Sequence, residues 1–206
     1  MNHTQHNKQI IQTMKNISLI IVILFSLQSF CQKEKGTITL LNGKVLSGLV
    51  KATSSSFKFK ENINSEAIKY DFNEAISATV VNSKNEEIKY EYVYVEYQKK
   101  PLLLTVMIDG FLKLYAEFST SYGGGGMGAG MGFRSSSTYH IKRTKDKLGQ
   151  YFIAYGYIPK VGFKNVVESY FTDCPQIQEK VEKGEFKKDD FEKIVEFYNQ
   201  NCAPKK

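Results

Sequence analysis

From Thr37 to Tyr157 the chain is a series of short segments in which apolar and polar residues alternate, cut by turn residues; at Phe163 the period becomes helical. Strands first and helices last is the α+β order. The alternating segments are Thr37–Leu41, Lys44–Val50, Ser56–Lys60, Ala67–Asp71, Ala75–Val81, Glu87–Tyr97, Leu102–Ile108, Phe111–Phe118, Thr138–Arg143 and a weaker Tyr151–Tyr157. Asn42-Gly43 between the first two predicts a two-residue type I′ turn, and Asp109-Gly110 marks a second hairpin. About seven to nine strands at this spacing predict an antiparallel barrel or sandwich over residues 32–160. A segment of about three helices over 161–206 should pack on it. At 42% apolar and 24% charged residues, collagen-like, coiled-coil and wholly disordered chains are excluded.

The helical segment carries its own constraint. Phe163, Val166, Val167, Tyr170 and Phe171 form one apolar stripe. Pro175 suits the first turn of a helix to about Glu182, which Gly184 stops. A further helix begins near Lys187-Lys188-Asp189, its stripe being Phe191, Ile194, Val195 and Tyr198; Asp189 and Asp190 complement its dipole. Two helices joined by a short turn lie antiparallel, so Cys174 at the start of one meets Cys202 past the end of the other. A Cys174–Cys202 disulfide is expected, contributing roughly 3–4 kcal/mol in the chain-entropy model.

The first residues read as an address. Ile17 to Leu27 is an apolar run of eleven, short for a bilayer span but right for a signal-peptide core, with Lys15 before it. Residues 1–31 are therefore read as a signal peptide, cut between Cys31 and Gln32 after the small residues Ser29 and Cys31. Translation can start at Met1 or Met14. The alternatives are a lipid on Cys31, where the bulky Phe30 fits a lipobox poorly, and an uncleaved anchor. Periplasmic or secreted placement follows, with no stable membrane span after cleavage. Processing leaves 26 basic against 21 acidic residues, one histidine (His140) and two cysteines. So mild a basic balance, without a stripe, gives no ground for a nucleic-acid partner.

Chemistry-bearing motifs are few. Residues 121–136 hold a glycine-rich loop in which Gly123, Gly125 and Gly128 satisfy G-x-G-x-x-G, as any polyglycine run does. It reads as a flexible connection between strands, with Met127 and Met131 at its tip as a candidate partner contact. Tyr90, Tyr92 and Tyr94 fall on one face of a strand, as a stacking platform for sugars or as ordinary packing; packing is the favoured reading. His140, alone, reads as structural. The residues assemble no nucleophile motif and no metal-ligand spacing, so no catalytic, cofactor-binding or metal residues are assigned.

Gly36-Thr-Ile-Thr-Leu-Leu-Asn-Gly43, Asp109-Gly-Phe-Leu-Lys-Leu-Tyr115, Tyr170-Phe-Thr-Asp-Cys-Pro175 and Val195-Glu-Phe-Tyr-Asn199 with Cys202 form a set. It resembles the markers of a group of exported envelope proteins of Bacteroidota, with an N-terminal G-x-I-x-x-x-x-G hairpin and a YF-x-D-C-P … YN-x-x-C ending. The resemblance implies export and the two-part architecture and carries no chemistry; the glycine-methionine stretch departs from it. The expected function is a non-catalytic envelope protein binding a protein or glycan partner. The alternative is a small secreted hydrolase using carboxylates in a cleft of the sheet. Oligomeric state stays open.

Overall fold

The computed structural model describes residues 34–123, 132–156 and 161–204, without the side chains of 119–123 and 132–135. All ten alternating segments form strands: β1 (Glu34–Leu40), β2 (Val45–Ala52), β3 (Phe57–Lys60), β4 (Ile68–Tyr70), β5 (Ala75–Val81), β6 (Glu87–Val93), β7 (Leu102–Ile108), β8 (Leu112–Gly123), β9 (Gly132–Arg143) and β10 (Gln150–Tyr155). Helices α1 (Phe163–Tyr170), α2 (Pro175–Glu182) and α3 (Phe191–Asn201) follow, the last preceded by a 3₁₀ turn over Lys188–Asp190. The α+β order stands. The strands form one open antiparallel sheet, in the order β10-β9-β8-β7-β6-β5-β1-β2-β3-β4, rather than a closed barrel.

The first hairpin differs from the predicted two-residue turn. Gly43 donates to the Leu40 carbonyl and Leu40 to the Lys44 carbonyl, which makes a three-residue loop. Only Gly43, at φ +81°, takes the left-handed conformation, so the pair supplies one positive φ rather than two. Asn85, at φ +64°, fills the same slot between β5 and β6. Two other boundaries move. β6 stops at Val93, short of Tyr97, and the β8–β9 ladder runs to Gly123 paired with Gly132, well into the glycine-rich segment.

A short connection curls the first half of the sheet. Three strands separate β4 from β5 in the ladder, roughly 19 Å apart if flat. Yet residues 71–74 alone join them, drawn into a turn by the Ala75 N–H donating to the Asp71 carbonyl. The sheet must therefore bend around Ile38, Val50, Phe57, Phe59, Ala78 and Val80. Tyr92 closes the bend: its ring meets Phe57 edge-on at 5.4 Å, and its hydroxyl donates to the Ser55 carbonyl at 3.1 Å.

In the second half, Leu112, Leu114 and Ile141 point to the face on which the helices pack, against Val167, Phe171, Ile177, Ile194 and Val195. A bulge between Tyr151 and Ile153 lets Phe152 join that face, where it meets Phe163 and Phe171. Arg143, at the end of β9, fixes the helices by direction. Its Nε donates to Tyr198 Oη at 2.8 Å; its Nη2 donates to the Tyr170 carbonyl at 2.8 Å and to Asp173 Oδ1 at 2.6 Å. Tyr198 Oη donates to Asp173 Oδ2 at 2.7 Å, closing the ring of bonds. Asn199 clamps the backbone of Leu112 through both its amide atoms, at 2.8 and 2.9 Å.

Cys174 and Cys202 are joined by a disulfide with a Cα–Cα distance of 5.7 Å. Helix α2 buries only Ile177 and Val181, too narrow a face to hold a two-turn helix alone. Cys202→Ser should therefore lose about 3 kcal/mol, and hydrogen exchange should accelerate first at α2, with β1–β5 still protected. Equal acceleration across sheet and helices would show that the bridge does not act locally.

Candidate functional site

Beyond Val93 the chain leaves the ladder with β7 and is tied to the start of β10. The Gly149 N–H donates to the Tyr94 carbonyl at 2.7 Å, and the Glu96 N–H to the Gly149 carbonyl at 3.1 Å. Val95 and Gly149 thus form an isolated parallel bridge. A Cβ at 149 would stand 3.1 Å from Val95 Cγ1 and 3.2 Å from Val93 Cγ1, so any larger residue there needs these valines to shift by a few tenths of an ångström. Tyr97 follows at φ +66°, a conformation that bulky residues seldom adopt, with 96% of its surface exposed.

This strap walls a pocket of about 670 Å³. Val95–Gln98 form one side; Glu117 of β8, Thr138 and His140 of β9, and Gln150 and Tyr151 of β10 form the floor; Val161, with Val166 and Ser169 of α1, forms the rim. The β8–β9 register explains the floor. Glu117 pairs with Thr138 and Tyr115 with His140, so these side chains share the face opposite Leu114 and Ile141. Gln150 pairs with Ile141, and the pocket reaches α1 at the β10 edge of the sheet.

His140 is 6% exposed, and its Nε2 lies 3.3 Å from Glu117 Oε2. A carboxylate accepts hydrogen bonds, so Nε2 carries a proton; in the neutral imidazole Nδ1 is then the lone-pair acceptor. Nδ1 is buried without a hydrogen-bond partner among the described residues. An orphaned buried acceptor costs roughly 1–3 kcal/mol. His140 is thus a buried histidine held by a carboxylate of the neighbouring strand. Reading it as a lone histidine missed Glu117, 23 residues earlier. The signal was the hairpin register, hidden because the glycine run blurs where the strands turn.

A second ionic cluster shares this face of the sheet. Glu91 accepts from Lys113 Nζ at 2.9 Å and Tyr115 Oη at 2.8 Å, with Lys89 Nζ at 3.1 Å. Lys89 and Lys113 also meet Asp109, at 2.7 and 3.0 Å. Burial pushes the Glu91 carboxyl up, but the bonds from Lys113, Tyr115 and Lys89 outweigh it and hold it below the usual carboxylate range. The Lys89 bond does the same for Asp109. Such carboxylates are saturated ion partners, unsuited to giving up a proton near neutrality.

The tyrosines do not form a platform. Tyr90 and Tyr92 pack on the first apolar core, and burial, with Asp71 and Glu74 nearby, pushes the Tyr92 phenol up to about 12. Tyr94 lies beyond the strand, 51% exposed. Cys31, Gln32, Met127 and Met131 lie outside the described residues. Among the described residues no cluster of three His, Cys, Asp or Glu side chains could hold a metal ion. Comparison with family models, curated proteins and solved structures finds no match to the chain.

The tautomer is open to direct test. Nitrogen-15 NMR of His140 at mildly alkaline pH should show the Nε2–H form, and Glu117→Gln should weaken that preference. A Nδ1–H tautomer in the wild-type chain would contradict the assignment.

Proposed function

We propose that this chain is a non-catalytic binding protein of the cell envelope that takes a glycan or protein partner. The observation that carries this reading is the pocket, in which Glu117 and His140 hold one another beside exposed Tyr97. Export is supported by the apolar run Ile17–Leu27, the small residues Ser29 and Cys31, and the disulfide. The likeness of the terminal motifs to exported Bacteroidota proteins belongs to the same reading. Among the described residues no helix is long and apolar enough to cross a membrane. The hydrolase reading draws on Glu96 and Glu117 lining one pocket. Against it stands Glu117's engagement with His140.

Ser169 sits on the rim and is exposed, so a bulky side chain there blocks the pocket at little cost to folding. The test compares capture of envelope glycans and proteins by the exported wild-type protein, which should begin at Gln32, and by its Ser169→Trp variant. Binding should fall at least about tenfold, roughly 1.4 kcal/mol, with an unchanged melting temperature. Equal capture by both proteins or turnover of the captured glycan would contradict the proposal; a lipid on Cys31 would contradict the start at Gln32.

A further inference from the structure

We infer that the pocket is built for an amino sugar carrying a free ammonium group. The inference rests on the binding reading above and concerns the chemistry of the ligand. Its first support is a reversal of charge. The chain has 28 basic against 21 acidic residues, yet the charged residues of the described lining are Glu96 and Glu117, with no lysine or arginine among them. A described lining that holds two carboxylates and no cation favours a cationic guest.

The polar groups agree. The Nε2 proton of His140 is spent on Glu117 Oε2, so this imidazole offers a ligand no donor. What a ligand can reach is the Glu117 carboxylate, whose side chain is 38% exposed; Nδ1, an acceptor without a partner among the described residues, lies beneath it. The carboxylate calls for N–H or O–H groups on the ligand. An ammonium supplies three donors with a positive charge, and charge-assisted bonds to a carboxylate are about twice as strong as neutral ones. An anionic ligand would be repelled by Glu96 and Glu117.

The walls favour a sugar over a bare amine. Tyr97, with its ring exposed, borders the site and offers a flat apolar face to the C–H face of a pyranose or to a cation. Tyr151 lies beside the site, packed in part on the helix-side core. Tyr97 is held at the mouth in a sparsely populated backbone conformation, with no burial to explain the placement. At about 670 Å³ the pocket is far larger than an alkylammonium tail needs. Gln98 and Gln150 can serve ring hydroxyls.

Three disaccharides with one backbone separate the contributions: the chitosan dimer (ammonium), diacetylchitobiose (acetamide) and cellobiose (hydroxyl). Each is titrated at neutral pH into nitrogen-15-labelled protein, with Nα-acetyl-lysine amide as the protein-like amine. The chitosan dimer should shift the resonances of His140 and Gln150 and bind at least about tenfold more tightly than the other three. Glu117→Gln should remove that preference, and Tyr97→Ala, at an exposed position, should weaken binding without changing the melt. If Glu117→Gln unfolds, Tyr97→Ala together with the three-sugar ranking decides. Equal binding of cellobiose or diacetylchitobiose would overturn the ammonium claim while leaving a glycan pocket. Tighter binding of the lysine amide would overturn it in favour of a protein partner. Shifts from none of the four would overturn the inference; loss of partner capture in Ser169→Trp would then still stand for the binding reading.

Discussion

The guanidinium of Arg143 is the point through which the helices are referred to the sheet. It is nearly buried, lies 4.0 Å over the Tyr170 ring, and bonds to Tyr198, the Tyr170 carbonyl and Asp173. Burial alone would lower its proton affinity; the Tyr198 and Asp173 partners more than reverse that, so it stays charged. A charge taken out of water is tolerable only when such partners surround it. In return the bonds are directional where apolar packing is not. They fix the end of α1 and the far turn of α3 against one residue of β9.

This accounts for the C-terminal motif. Tyr170, Asp173 and Tyr198 bind Arg143, Asn199 clamps Leu112, Cys174 and Cys202 form the bridge, and Pro175 opens α2. Its residues are spent on holding helices to a sheet, and the motif is architecture. Its consequence for the site is indirect. Helix α1, whose Tyr170 is held by Arg143, also brings Val166 and Ser169 to the pocket rim. The helix anchor and the pocket wall are the same eight residues.

Period and turn chemistry made the elements legible in the sequence, down to the stripe Phe191, Ile194, Val195 and Tyr198 and the pairing of Cys174 with Cys202. The curl of the first half was not legible, since nothing in residues 71–74 announces that β4 ends beside β5. The strap was read as strand because Val93, Val95 and Tyr97 alternate correctly; Gly149, some fifty residues on, takes Val95 out of the ladder. Arg143 looked like the polar end of a strand, and apart from Asp146 its partners lie 27 to 55 residues away. The His140–Glu117 pair depends on a hairpin register that alternation alone cannot set, because a slip of one residue moves each side chain to the other face. Local rules found the elements; what they place together depended on register and on single long-range bonds.

The central claim is that one buried charge couples the helix anchor to the pocket rim. Native-state hydrogen exchange of Arg143→Met, with the disulfide intact, tests it most directly. The account predicts that protection falls in α1 and α3, that amides lining the pocket rim exchange faster, and that β1–β5 remain as protected as in the wild type. Unchanged exchange in α1, or equal loss throughout the sheet, would contradict it.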